Sequence, residues 1–450
     1  MSSTTEDFLS RHVTLADRNN RIDPELNRRY NTKRGLRNED GTGVLIGLTE
    51  IGDVRGYIIE EEEKVPVEGQ LLYRGINVSD LVRGFQFDGR FGYEEAAYLI
   101  LFGELPTEAA LQDFSDELSL FRRLPNGFTE DMVLSAPSSD IMNKLARSVL
   151  ALYSYDENPE DLSLQNVLRQ SIELIARFPT LVAYGYQAKR HNYHGESLHI
   201  HAPEPELRTA ENLLQLIRPS RDYTPLEADA LDLALVLHAE HGGGNNSAFS
   251  IHVVSSSATD TYSAISAGVG SLKGAKHGGA ATRVRLMIEE IKEAVSDWTD
   301  EEEITRYLER MLRKEVGDGS GLIYGMGHAV YTLSDPRAVL LRERAEQLAR
   351  EKEQEREMAL YRNIERLAPD ILRRVKGSSG PISANVDFYS GFVYSMLNIP
   401  PELYTPIFAV ARIVGWAAHR IEEIVSGGKI IRPAYKNVVG KREYRPMAER

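Results

Sequence analysis

From residue 93 to residue 427 the apolar side chains return at three- and four-residue spacing almost without interruption, and only residues 44–74 break that habit. Helices with one apolar stripe must bury it against other helices, and a chain with so little strand pattern has no large sheet to offer. The spacing predicts helices over 93–103 and 107–122, on either side of Leu105-Pro106, and over 140–155, 161–190 and 225–240. Further helices are predicted over 260–272, 280–296, 301–316, 336–358, 361–374, 388–397 and 403–427. Residues 44–74 hold three short strand-like runs, VLIGLTEI, YIIEEEE and QLLYRG, bounded by glycine and proline. The fold class is therefore mostly α, with a short β element near the N-terminus. Residues 1–43 read as a polar surface arm, 189–209 as a polar loop carrying four histidines, and the tail from 428 as basic and turn-rich.

Composition narrows the function. A chain of 450 residues with 42% hydrophobic and 27% charged side chains can bury a sizeable core, and its length suggests two to three domains. No stretch approaches the roughly 20 apolar residues that span a bilayer, so no membrane insertion is expected. The chain has no cysteine, which excludes disulfides, thiolate metal sites and cysteine nucleophiles. Glu6, Asp7 and Asp17 argue against a mitochondrial presequence, and the expected location is the cytoplasm. A net charge of −14 disfavours non-specific nucleic-acid binding. Anions must then be met by local clusters of arginine.

Four places set ionisable side chains beside glycine within apolar, helix-forming surroundings. In Leu237-His238-Ala239-Glu240-His241-Gly242-Gly243-Gly244 an apolar helix runs into two histidines and a glycine run that lets the backbone approach a ligand. The histidines lie at i, i+3, a spacing open to zinc or to simple helix-terminal residues favoured by the dipole. His277, in Gly274-Ala275-Lys276-His277-Gly278-Gly279, precedes a helix start. The positive potential there favours neutral imidazole, a hydrogen-bond donor for a developing oxyanion; the plain alternative is a loop residue without a role. His328 follows Gly325-Met326-Gly327, and Asp335-Pro336 downstream reads as an N-cap and first helical residue. Arg337 then sits in a first turn, where a cation must either reach solvent or be held by an anion. Asp387 either caps the following helix or, among apolar flanks, has the raised pKa of a general base. Arg412 lies inside the apolar helix FAVARIVGWAA, where a lone charge needs a partner. Arg432 lies in the basic tail. His191, His194, His199 and His201 look metal-like by spacing but read as solvated surface.

Taken in order, LLYRG, YEEAAYLILFGELPT, LHAEHGGGNNSAFS, KGAKHGGA, GMGHAVYTLSDPR, NVDFYSG, ARIVGWAAH and IRP resemble the citrate synthase family, from about residue 44 to the C-terminus. The resemblance implies that Asp387 removes a methyl proton from an acyl-CoA and that His277 hydrogen-bonds the thioester oxygen. It implies that His328 donates to the ketone of oxaloacetate as the carbon–carbon bond forms, before water hydrolyses the thioester. His241, Arg337 and Arg412 would bind the oxoacid, and Arg432 would reach the partner's site in a homodimer. The implied reaction opens the tricarboxylic acid cycle, with acetyl-CoA as co-substrate and no metal or cofactor. The implied architecture is a large helical domain over 44–276 and 390–450, a small one over 277–389, and a cleft between them that closes. The chemistry suits this allocation. A dianionic ketone calls for bidentate arginines and one donor, and a thioester methyl needs base and oxyanion donor on one carbonyl unit.

Three positions depart from the family pattern. Thr332 stands where lysine or arginine is common, Gly242 where glutamate is usual, and Glu240 where aspartate is usual. They bear on substrate detail rather than on the chemistry. The neighbouring reading is 2-methylcitrate synthase, acting on propionyl-CoA. Readings from other classes are a metal-dependent hydrolase built on His238, His241 and the 191–201 histidines, and a helical interaction scaffold.

Overall fold

The computed structural model describes residues 3–38, 42–60, 63–378, 380–426 and 428–450. Two compact units divide the chain, Met1–Leu48 and Thr49–Arg450. The first holds the helices Ser3–Asn20 and Pro24–Arg29, a 3₁₀ turn at Arg34–Leu36 and a single bridge between Arg37 and Gly43. Asp23 caps the second helix through Glu25 N and Pro24 opens it. The run VLIGLTEI, expected as a strand, forms none. Leu45 and Leu48 are exposed there, and apolar character without a pairing partner does not make a strand.

Among the described residues, the second unit is helical apart from one antiparallel sheet of three strands, Gly52–Glu60, Glu63–Tyr73 and Ile76–Asn77. Of YIIEEEE, Tyr57–Glu60 end the first strand, Glu63 opens the second, and residues 61 and 62 lie outside the described residues. Of QLLYRG, Gln70–Tyr73 end the second strand, with Gly52 opposite Tyr73 and a register shift between Arg55 and Tyr57. Pro66 lies within the second strand; the third pairs only at Leu72 and Tyr73, so at Pro66 the strand has an edge that demands no N–H. Two hairpin glycines admit a later stretch of chain. A β-carbon on Gly56 would lie 2.3 Å from Val330 O, and one on Gly69 would lie 2.2 Å from Ser334 O. The segment after His328 therefore runs against the hairpin backbone, at a distance only glycine permits.

The helix Tyr404–Val425 runs through the middle of this unit. It is buried from Ala409 to Arg420 and packs on Leu164–His194, Pro225–His238, Asn246–Ser255 and Thr261–Lys273. A helix apolar on all sides can be buried on all sides. The expected 336–358 helix is two, Pro336–Glu351 and Glu355–Lys376, and the second absorbs the expected 361–374. The break has no glycine or proline. Glu353 takes a left-handed conformation, φ 54°, and Lys352 reaches Glu227 at 2.7 Å. Tertiary contacts override propensity here. The long helix Leu164–His194 swallows the start of the expected histidine loop, placing His191 and His194 in its last turn. Among the described residues, no helix is long and apolar enough to cross a membrane.

Candidate active site

The glycine loop before His328 and the segment before Asp387 are paired backbone to backbone. Met326 bridges Ala384, Gly327 N donates to Ser383 O at 2.7 Å, and Asn385 N donates to Gly325 O at 2.8 Å. Asn385 caps the helix Val386–Met396 by accepting from Asp387 N, and its amide donates to Gly327 O at 2.9 Å. Asp387 is thus in the first turn and is not the cap. Gly325 has φ 81°, and a β-carbon there would meet Phe388 at 2.7 Å, so the loop's close approach depends on glycine. The consequence is that His328 and Asp387 are brought to one place by a strand-like contact.

His328 has a defined tautomer. Its Nδ1 accepts from Val330 N and Tyr331 N, both at 3.1 Å, so the neutral ring carries its proton on Nε2. Burial, with Arg337 nearby, lowers its pKa to about 4. The ring stacks on Tyr331 at 4.7 Å and meets His241 edge-on at 5.3 Å. His241 lies beyond the end of the helix Pro225–His238, and its Nε2 is buried without a protein partner. Burial and then the charge of Arg337 hold His241 well below the ordinary histidine value, so a neutral donor or acceptor faces the same space.

Two buried arginines flank these rings. Arg337 is gripped by the Asp335 that caps its own helix, Nε to Oδ1 at 3.0 Å and Nη2 to Oδ2 at 2.8 Å. The anion that a first-turn arginine requires is therefore its own N-cap. Asp335 Oδ2 also accepts from Val386 N at 3.2 Å, tying this ion pair to the helix that carries Asp387. Arg412 donates Nε to His238 O at 2.7 Å and lies 4.7 Å over the Phe408 ring. Both of its terminal nitrogens are buried and have no partner among the described residues. Burial lowers its pKa to about 10, a measure of how poorly its charge is compensated.

Burial pushes the Asp387 carboxyl up to about 6, against the pull of Arg337 and Arg412. His277 stands in a turn closed by His277 N to Gly274 O at 2.8 Å, ahead of the helix Ala280–Ala294. Burial, then the charge of Arg412, takes it down to about 4, so it is neutral at physiological pH. Its Nε2 lies 3.2 Å from Ser247 Oγ, which also receives Trp416 Nε1–H at 3.0 Å. Ser247 Oγ in turn donates to Asn245 Oδ1 at 2.9 Å; with the hydroxyl turned instead to Nε2, the free hydrogen of His277 is on Nδ1.

Other sequence candidates fall elsewhere. Arg432 is exposed in the tail, next to half-buried Ile431, whose N donates to Ser256 Oγ at 3.0 Å. His238 is a buried ring that donates Nδ1 to Ala234 O at 2.7 Å, and burial drives its pKa to about 3. The expectation that the helix dipole favours its charged form fails because burial outweighs a dipole worth at most ~2 kcal/mol. The zinc reading of His238, His241 and the 191–201 group finds no supporting geometry. His191 and His201 contact the carbonyls of Glu196 and Arg218, and none of these histidines belongs to a convergent set of three ligands among the described residues. The sequence did not single out Ser247, Trp416, Tyr331, Asn385 or His419, and it marked Glu240 only as standing where aspartate is usual, not as the partner of His419. Glu240 Oε1 lies 3.1 Å from His419 Nε2. Burial opposes it, yet Glu240 lifts His419 to about 9. In Ala-Glu-His a buried acid beside a glycine run was the available signal.

Comparison with known proteins converges on one family. The family described as citrate synthase, C-terminal domain, matches residues 40–434. The chain is 33% identical to citrate synthase of Synechocystis sp. over 385 residues, covering 85% of this chain and 89% of that one. It is 31% identical to 2-methylcitrate synthase of Shewanella oneidensis, over 84% of this chain and 92% of that one. The solved citrate synthase of Thermoplasma acidophilum, in ternary complex with carboxymethyl coenzyme A and oxaloacetate, superposes with a TM-score of 0.75 at 26% identity, covering 93% of this chain and 99% of that one. On the fold, the motif order and these likenesses together, the chain belongs to the citrate synthase family.

Proposed function

We propose that this chain is a citrate synthase that condenses acetyl-CoA with oxaloacetate and water to give citrate and CoA. The observation that carries this reading is the buried guanidinium of Arg412, with both terminal nitrogens unpartnered, beside the unpartnered Nε2 of His241 and the Nε2–H of His328. An α-oxo dicarboxylate supplies what these groups lack: carboxylate oxygens for the arginine and a ketone oxygen for the imidazole donor. Asp387, poised near neutrality, takes a proton from the acetyl methyl while His277 donates to the thioester oxygen. The carbon attacks the ketone, whose oxygen gathers negative charge against His328. Water then cleaves the thioester and releases CoA as a thiol. Arg432, on the tail, is assigned to the site of a second copy in a homodimer.

Acetyl is the proposed acyl group: relatives from six organisms, at 31–35% identity, carry the name citrate synthase, as do the solved neighbours, against two relatives named 2-methylcitrate synthase at 31–32%. Propionyl-CoA differs by one methylene, worth about 1–3 kcal/mol of discrimination. Thiol release tests both, and with no cysteine in the chain a disulfide dye sees only CoA. Oxaloacetate-dependent release is expected with acetyl-CoA at higher kcat/KM than with propionyl-CoA. The reverse preference makes the enzyme a 2-methylcitrate synthase, and no release with either overturns the proposal.

A further inference from the structure

Beside the glycine run lies a second group of histidines that the condensation does not use. His252 Nε2 and His419 Nδ1 face each other at 3.0 Å, and Glu422 Oε2 lies 3.8 Å from His419 Nδ1. All three residues offer ligand atoms within 4.8 Å of one another. Glu422 Oε1 accepts from Glu50 N at 2.8 Å, whereas Oε2 is buried without a hydrogen-bond partner. Each histidine is oriented from behind by a carboxylate. Glu240 Oε1 holds His419 Nε2 at 3.1 Å, and Glu423 Oε2 holds His252 Nδ1 at 2.9 Å.

We propose that His252, His419 and Glu422 form a zinc-class divalent metal site. Two imidazoles and one carboxylate are a ligand set that suits zinc and leaves a position for water. Tetrahedral zinc with bonds near 2.0–2.1 Å separates its ligand atoms by about 3.3 Å; the observed 3.0 and 3.8 Å lie within roughly half an ångström of that, and the third pair, within 4.8 Å, closes by rotation of the Glu422 side chain. Carboxylates behind both histidines fix which nitrogen faces the centre, as outer-shell partners of metal-bound imidazoles do. The carboxylates of Glu240, Glu422 and Glu423 offset a dication. The site also has an approach from solvent, because the side chains of His252 and Glu422 are 14% and 15% exposed while His419 is fully buried. Gly243 borders it: a β-carbon there would lie 3.6 Å from His252 Nε2 and 3.8 Å from His419 Nδ1. The metal would brace the segment from Glu240 to Gly243, which carries His241. This assignment stands apart from the choice of oxoacid or acyl group.

The test is direct binding of zinc to the full chain after chelator treatment, by calorimetry and by metal analysis after desalting. One zinc per chain is expected, with cobalt giving the visible absorption of a four-coordinate histidine site. Glu422→Gln and His252→Ala are each expected to weaken binding at least 30-fold, and Glu423→Gln by about 10–100-fold. His194→Ala, on the exposed end of its helix, is expected to leave binding unchanged. Circular dichroism of the metal-free variants checks the fold, and either ligand variant alone decides. No stoichiometric zinc in the wild type would show that a shared proton alone joins the two histidines. Undiminished binding in a folded Glu422→Gln or His252→Ala chain would place any metal elsewhere. Either result overturns the assignment.

Discussion

Arg337 and Arg412 are both buried, carry the same charge and border the same space, yet the fold treats them in opposite ways. Arg337 is paired two-pronged with Asp335 and held above the usual guanidinium value by that carboxylate, against the effect of burial. Arg412 has one backbone carbonyl and the face of Phe408, and burial takes it down to about 10. The first is a strut whose charge is already neutralised and whose partner carboxylate also fixes the start of the Asp387 helix. The second is a cation whose burial cost is offset only when an anion arrives. One arginine is paired within the fold, and the other is the one proposed to read the substrate.

Truncating each arginine should separate these roles most strongly. Arg337→Met leaves Asp335 as an uncompensated buried anion and is expected to cost about 3–5 kcal/mol of stability, read by urea unfolding. Arg412→Met removes an unpaired charge; its unfolding midpoint should stay or rise, while kcat/KM for the oxoacid falls by roughly three orders of magnitude or more. Equal losses of stability in the two variants would break the contrast.

Asp387 sits in the field of both arginines, which makes it the next probe. Asp387→Asn should lower kcat about a thousandfold, within the range of a removed general base. The same change should raise the unfolding midpoint at pH 8. A native pKa lifted to about 6 means that the unfavourable burial of the charged carboxylate is felt in full above that pH, and asparagine escapes it. Near-normal turnover would reassign the base. In the wild type, kcat/KM should fall about tenfold per pH unit below about 6 as Asp387 takes up its proton, and that limb should vanish from the residual activity of Asp387→Asn. The smallest effect is expected at Ser247, whose Oγ holds His277 Nε2 at 3.2 Å. Ser247→Ala should lower kcat about tenfold with little change in KM for oxaloacetate. A KM effect alone would deny it that role.

The helical class was legible because apolar periodicity is a local property. The same holds for Asp335 and Pro336, whose roles as cap and first helical residue need only their neighbours. The break at 352–354 was not legible, since Lys352 and Glu353 are ordinary helix formers and the turn there accompanies a contact to Glu227 far away in sequence. The candidate site divides in the same manner. Histidines and arginines set beside glycine or in apolar helices stand out in sequence. Ser247, Asn385 and His419 do not, because a serine, an asparagine and a helical histidine acquire meaning only from partners such as His277, Gly325 and Glu240. The failed strand at 44–51 shows the converse: an apolar run without a pairing strand stays irregular.

The division of labour between the two arginines is tested most directly by thermal unfolding with and without oxaloacetate, in the wild type and in Arg412→Met. At about a hundred times its Kd the oxoacid should stabilise the wild type by about 2.7 kcal/mol, seen as a rise of several degrees in midpoint. That rise is predicted to disappear in Arg412→Met. A rise of equal size in the variant would contradict the assignment of Arg412 as the arginine that reads the substrate.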